Sequence, residues 1–261
     1  MDFVVTNVNV FTTRKKHCWP PFPTKTLCIC FFYVLTSESI DAQTTIVICG
    51  RSDSVFVAAD SKGTVDLQEM KSILTCKIIR YNDSLFIATS GHTGNVIRKE
   101  YIEETIASIG EVGARSLVDK ADTIAERVLP LVFPAMVRAN KSQLVARLIF
   151  IGREHGVLRV IAKEFLGIQN GPLVDFLRTR QIFKIDDSLK YYVSSDSLSY
   201  PAIISLAASG HFKSLSLVQQ TLAITKTAIA IDTVNSAPPI DMVCLHKGGY
   251  FWVSRKPQCN E

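Results

Sequence analysis

Two adjacent threonines, Thr44 and Thr45, open the run TTIVICG, and a second run, VFVAADS, carries Asp60 at its end. A threonine hydroxyl is a weak nucleophile at neutral pH and needs a base. A cut immediately before Thr44 would supply one, because the residue's own α-amine could then take the hydroxyl proton, directly or through a water. An α-amine has a reference pKa near ~7.7–8.0, so a useful fraction is neutral near pH 7. The structural reading of the same residues is plain. Threonine is common in strands, and an aspartate after a strand often caps a turn.

The segment in front of Thr44 bears on which reading holds. Arg14, Lys15 and Lys16 form a basic part, residues 26–35 (TLCICFFYVL) an apolar part, and TSESIDA a polar part ending at Ala42. That order is the order of a secretory leader. The apolar part is too short to span a bilayer as a helix, which needs ~20 apolar residues. Residues 1–43 are therefore expected to be a leader, either a signal peptide that exports the chain (periplasmic or secreted) or a propeptide on a cytoplasmic protein. No later segment reaches transmembrane length without charge, so no stable transmembrane anchor is expected. A cut after Ala42 leaves Gln43 at the front, and one further step, self-cleavage or trimming, would free Thr44.

Other chemistry is poorly represented. No GxGxxG, P-loop, HExxH or GxSxG pattern occurs, and the seven cysteines contain no CxxC pair. No metal-ligand cluster is visible, and neither metal nor cofactor is expected. The net charge of +5 is mild, and no Lys/Arg block is interleaved with aromatics, so no nucleic-acid partner is expected. His92 reads as a polar wall, His155 and His246 as turn residues, and Cys76 as core or as a neighbour behind the Lys77 site; the four cysteines after residue 43 could form bridges, although most small buried cysteines are simply core.

These residues need elements to hold them. TTIVICG and VFVAADS, joined at RSDS, read as a hairpin with β-branched arms. CKIIRYNDSLFIATSG reads as a second hairpin about YNDS. From Thr93 the spacing becomes helical, with Val96, Ile97, Tyr101, Ile102, Thr105, Ile106 and Ile109 on one face. A second helix, ARSLVDKADTIAERVLPLVFPAMVRAN, is expected to bend or break at Pro130 and Pro134. LVARLIFIGREHGVLRVIAKEF is a hairpin about REHG. A less regular stretch follows, with KYYVS as a candidate strand. PAIISLAASGH ends in small residues, SLVQQTLAITKTAIAI is a third helix, and IDMVCLHKGGYFWVSR closes the chain as a hairpin about HKGG. Hairpins imply antiparallel sheets. Two such sheets packed face to face with helices on their outer faces, an α+β four-layer αββα sandwich, would bury all of these in one domain over residues 44–261.

The stretch TTIVICGRSDSVFVAADSKG resembles the amino-terminal signature of proteasome β-type subunits and their bacterial relatives, within the N-terminal nucleophile (Ntn) hydrolases. CKIIRYNDSLFIATSGHTG continues the resemblance with Lys77 and then Gly91, after a loop one residue longer than is usual in the family. The later element order also agrees, so the likeness runs from Thr44 to Val253. It implies catalytic roles residue by residue. Thr44 is the nucleophile, and Lys77 holds the amine and hydroxyl pKa values down by its charge. Asp60 pairs with Lys77 and orients it. The Gly91 N–H faces the developing oxyanion, a donor typically worth ~3 kcal/mol. Ser209, with Gly210, resembles the family's small turn near the terminal amine. Asp232 and Ser236 are the nearest matches to a second support, although Ala237, Pro238 and Pro239 stand where the family carries glycines.

The resemblance implies a self-processing threonine hydrolase acting on peptide or other amide bonds, with a possible homo-oligomeric ring. A non-catalytic structural or ring-forming subunit of the same fold is the alternative. A third reading, an exported binding protein with a pocket between the sheets, predicts an intact Gln43–Thr44 bond.

Overall fold

Alternation along each strand decides the layers. In the first hairpin, Ile46 and Ile48 enter one buried cluster while Val47 and Cys49 enter another on the opposite face. A strand puts successive side chains on opposite faces, so a strand apolar at every position is covered on both sides. The computed structural model describes residues 2–5, 44–66, 71–92, 94–95, 100–113, 116–140, 143–169, 177–185, 188–195, 197–233, 236–257 and 259. Its strands β1 (Asp2–Val5), β2 (Ile46–Arg51), β3 (Ser54–Ala59), β4 (Lys62–Asp66), β5 (Lys71–Leu74), β6 (Ile78–Asn82), β7 (Leu85–Gly91), β8 (Gly94–Asn95) and β9 (Glu100–Tyr101) precede helices α1 (Ile102–Ser108) and α2 (Leu117–Arg138). Then come β10 (Leu144–Glu154), β11 (Val157–Leu166), β12 (Leu177–Lys184) and β13 (Lys190–Ser194). A 3-10 turn, Ser197–Ser199, leads to α3 (Tyr200–Ala208), α4 (Gly210–Ser214) and α5 (Leu217–Ile231), and β14 (Asp241–His246) and β15 (Gly249–Ser254) finish the fold.

One sheet has the order β1-β13-β2-β3-β14-β15 and the other β12-β11-β10-β7-β6. Every pairing among β13, β2, β3, β14 and β15 is antiparallel, as is every pairing in the second sheet. The expected αββα sandwich is the observed architecture. Ile46, Ile48, Val57, Phe86, Ile149, Ile151 and Val243 fill the space between the sheets. Leu85, Ile87, Leu148 and Phe150 face α1 and α2 on the far side of the second sheet. Val47, Cys49, Tyr191 and Val193 face α3, α4 and α5 on the far side of the first.

Three local expectations change. The helix read from Thr93 is shorter. Gly94 and Asn95 pair with Tyr101 and Glu100 in a small antiparallel ladder, and α1 begins only at Ile102. Glycine is a poor helix former, which favours the ladder over an earlier helix start. α2, by contrast, runs unbroken through Pro130 and Pro134. Both prolines lie on its exposed face, while Leu117, Ile124, Val128, Val132 and Met136 are buried against the sheet. Burying those five side chains stabilises by roughly 1.5–3 kcal/mol each. That outweighs about 3 kcal/mol for each proline, whose freed carbonyl partner can turn to water. Finally, β12 forms in the stretch read as irregular. It pairs antiparallel with β11, and Arg178 reaches Glu164 across the pair at 2.9 Å.

The expected leader lies outside the described residues except for β1, which pairs parallel with the edge of β13. Among the described residues no helix is long and apolar enough to cross a membrane. Cys76 and Cys259 are joined in a disulfide, and Cys49 and Cys244 are free and buried.

Candidate active site

The β2–β3 register builds the first half of the site. Ile46 stands opposite Ala59, so Thr45 stands opposite Asp60, and the Asp60 N–H donates to the Thr45 carbonyl at 3.1 Å. The Thr45 N–H donates in return to Asp60 Oδ1 at 3.0 Å, and the Lys62 N–H donates to Oδ2 at 3.1 Å. The carboxylate is therefore fixed by backbone on both oxygens before any cation approaches it.

Lys77 supplies the second half. It precedes β6, and its carbonyl accepts from the Thr89 N–H of β7 at 2.9 Å. Its Nζ donates to Thr44 Oγ1 at 2.9 Å, to Asp60 Oδ1 at 3.1 Å and to the Lys62 carbonyl. An ammonium has three donors and no acceptor, and here three acceptors meet it, which is the arrangement suited to the charged form. Thr44, Asp60 and Lys77 are each at most 4% exposed. Burial pushes the Lys77 amine down, and the Asp60 charge beside it is the main opposing influence. Burial likewise pushes the Asp60 carboxyl up against the pull of Lys77.

The three residues at the heart of the sequence reading thus come together in space. A positive Nζ against Thr44 Oγ1 is an arrangement that can stabilise an alkoxide over the hydroxyl. Gly91 ends β7 at φ +83°, and a Cβ there would run into the Val145 carbonyl. Only glycine fits this position. Gly91→Ala is expected to destabilise the fold by at least about 1–2 kcal/mol, the cost of a left-handed backbone in an L-residue. Chemical denaturation would read the loss, and an unchanged midpoint would contradict the fit described. His92, half-buried beside Gly91, has its imidazole pushed down by burial, and the His92 backbone N–H donates to the Val145 carbonyl at 2.9 Å.

Ser209 is engaged elsewhere. Its hydroxyl accepts from the Phe212 N–H at 3.1 Å and caps α4. The hydroxyls at the threonine pair belong to Ser195 and Ser236, whose Oγ atoms lie 3.1 and 3.0 Å from Thr45 Oγ1. Ser236 was one of the two loose matches, and its N–H donates to the carbonyl of the other, Asp232. Ser195 was missed. The available signal was its place in YVSSDS, a small polar turn directly after the strand that pairs with β2.

Glu103, in the first turn of α1, also escaped the sequence reading. Burial pushes its carboxyl up to about 7, and the charges of Lys77 and Lys256 act on it in the opposite direction. A carboxyl raised in the folded state contributes stability that is complete below its unfolded value, about 4.5, and lost as pH rises through about 7. Glu103→Gln holds the neutral form at every pH. Its urea midpoint is expected to gain on that of the unsubstituted protein between pH 5 and pH 8, and parallel pH curves would refute this.

Over 80% of this chain and 87% of the other, the fold is similar to Anbu (ancestral beta-subunit) from Yersinia bercovieri, with a TM-score of 0.53 at 13% identity. The fold is that of a proteasome-like β-subunit. Two further solved structures are similar. One is Thiobacillus denitrificans BPH in complex with epoxomicin (12% identity, TM-score 0.47, 77% of this chain and 98% of that one). The other is eukaryotic HslV from Trypanosoma brucei (18%, 0.43, 77% and 99%). No family model matches the sequence, and no curated protein matches it. At these identities the proteasome-like likeness is one of fold, and the chemistry must be argued from the residues of this chain.

Proposed function

We propose that this chain is an N-terminal threonine hydrolase that cleaves peptide or other amide bonds once Thr44 is its first residue. The observation that carries the reading is the buried Lys77 Nζ, 2.9 Å from Thr44 Oγ1 and 3.1 Å from Asp60 Oδ1. A buried lysine must find acceptors for its charge, and it is the identity of these acceptors that matters. This one divides its donors between a carboxylate, a carbonyl and the one hydroxyl that a free terminus would turn into a nucleophile.

In the proposed reaction Thr44 Oγ attacks the amide carbonyl and its proton passes to the Thr44 α-amine. Lys77 steadies the oxygen as its charge develops, and the Gly91 N–H receives the oxyanion. The α-amine then gives the proton to the leaving amine, and an ester to Thr44 remains. Water, deprotonated by the same amine, hydrolyses that ester and restores the hydroxyl. Thr45, held by Asp60, Ser195 and Ser236, keeps the terminal residue in register.

Export of the mature chain belongs to the same proposal. The Cys76–Cys259 disulfide supports it, since such bonds persist in oxidising compartments and are rare in the cytosol. Self-association into a ring is the remaining part and is read from the mass of the native particle.

The deciding experiment is intact-mass analysis of protein purified from its native source, before and after treatment with a peptide α,β-epoxyketone. That reagent bonds to both the hydroxyl and the free amine of a terminal threonine. The expected result is a chain starting at Thr44 with one adduct on that residue. A folded protein that still begins at Gln43 or earlier would end the threonine-nucleophile reading and leave the structural-subunit alternative.

A further inference from the structure

The backbone on either side of Lys77 is gripped by the C-terminal tail. Lys256 Nζ donates to the Thr75 carbonyl, Cys259 is bonded to Cys76, and Arg255 Nη1 donates to the Ile78 carbonyl at 2.8 Å. Three tail residues therefore hold the residues at 75, 76 and 78, while the side chain of residue 77 faces Thr44 and Asp60. The grip is itself anchored on Asp241, fully buried on β14 and paired with Ala59, the residue before Asp60. Asp241 Oδ1 accepts from the Lys256 N–H at 2.8 Å, and Oδ2 lies 3.0 Å from Lys256 Nζ and 3.7 Å from Arg255 Nη1.

A buried lysine–aspartate pair brings little net stability compared with apolar side chains of similar volume. Its presence next to a second such pair calls for another explanation. We propose that Arg255, Lys256 and Cys259 form a clamp that positions Lys77 against Thr44, with Lys256 as the positioning residue and the Cys76–Cys259 bond as its fastening. The proposal concerns the same site as the hydrolase reading and rests on it for its catalytic consequence.

The clamp also reaches Lys77 electrostatically. The charged groups facing Lys77 are Asp60 from the end of β3, Glu103 from α1 and Lys256 from the tail, and Lys256 opposes the charged form of Lys77. The groups facing Lys256 are Asp241, Asp60, Arg255, Lys77 and Glu103. Replacing Lys256 with an apolar residue removes a neighbouring cation and leaves Asp241 less compensated. Both changes favour the protonated form of Lys77.

The test uses the mature protein and two variants, Lys256→Met and Cys259→Ser, each checked for folding by circular dichroism. Two quantities are read. One is the titration of Lys77 followed by lysine side-chain NMR, and the other is the rate of epoxyketone addition to Thr44 against pH. We expect Lys256→Met to raise the Lys77 titration midpoint and to carry the alkaline limb of the addition rate up with it. We expect Cys259→Ser to slow addition at least tenfold. A disturbance that is merely structural would lower the rate without moving the limb. If Thr44 reacts at one rate in all three folded proteins and the Lys77 titration is unmoved, the clamp is wrong and the hydrolase reading stands. If Thr44 never reacts but the Lys77 titration moves in Lys256→Met, the hydrolase reading is lost and the clamp is upheld.

Discussion

Thr44→Ala is expected to lower amide hydrolysis by about a thousandfold or more, because among the described residues no other hydroxyl is both bonded to Lys77 Nζ and adjacent to the prospective terminal amine. The fold should survive. Asp60, Ser195 and Ser236 are tied to Thr45 and not to Thr44. The substitution removes one of three acceptors of Lys77 Nζ, a loss on the order of 1 kcal/mol. Thr44→Ser keeps a hydroxyl in place and is the control that should retain turnover. The same variant reports on maturation. If residues 1–43 stay attached in Thr44→Ala but leave the unsubstituted chain, Thr44 makes its own cut. If they leave both, another peptidase does. Turnover of Thr44→Ala equal to that of the unsubstituted protein would place the hydrolysis at another site.

Asp60→Ala is expected to cost about 3–5 kcal/mol of stability, the penalty for leaving a buried ion without its partner. The Thr45 N–H and the Lys62 N–H lose the acceptor they share, and Lys77 Nζ loses its counter-charge and one of its three acceptors. For a chain of this size about 1 kcal/mol corresponds to roughly 2–4 °C in Tm, so a fall on the order of 10 °C should be seen. Asp60→Asn separates charge from hydrogen bonding. Its amide oxygen can still accept from backbone, so the stability loss should be smaller. Burial then acts on Lys77 without the opposing carboxylate, and the lysine should lose its proton at lower pH. Activity of Asp60→Asn should therefore decline earlier on the alkaline side than that of the unsubstituted protein. A Tm within 2 °C for Asp60→Ala, on the order of what about 1 kcal/mol would produce, would show that the pair is not buried as described.

The hairpins were legible because their information is local. The turns at Ser52–Asp53, Asp83–Ser84, His155–Gly156 and Lys247–Gly248 fall within RSDS, YNDS, REHG and HKGG, flanked by alternating or wholly apolar strands. The core of the site was legible for a related reason. Thr45 and Asp60 sit at matching ends of one hairpin, so an unbroken register makes them partners and brings Thr44, one residue earlier, close by. Lys77 followed from the resemblance to the β-type signature, and the geometry joins it to both.

Features that depend on distant segments were not legible. Ser195 meets Thr45 across 150 positions of chain, and Ser209, chosen by type from a similar small turn, caps α4 instead. The length of α2 is decided by the sheet beneath it, since the prolines alone would argue for a break. The Cys76–Cys259 bond spans 183 positions, and the four cysteines after Thr44 permit several pairings.

By itself the sequence determined the two-sheet, helix-flanked architecture and the hairpin that brings Thr44 to Asp60. It could do so because strand alternation and turn chemistry act over a few residues. The tertiary structure alone decided which hydroxyls surround the threonine pair and that the C-terminal tail grips the backbone around Lys77. Those contacts depend on sheet order and layer packing, so residues far apart in the chain meet only after the sandwich has closed.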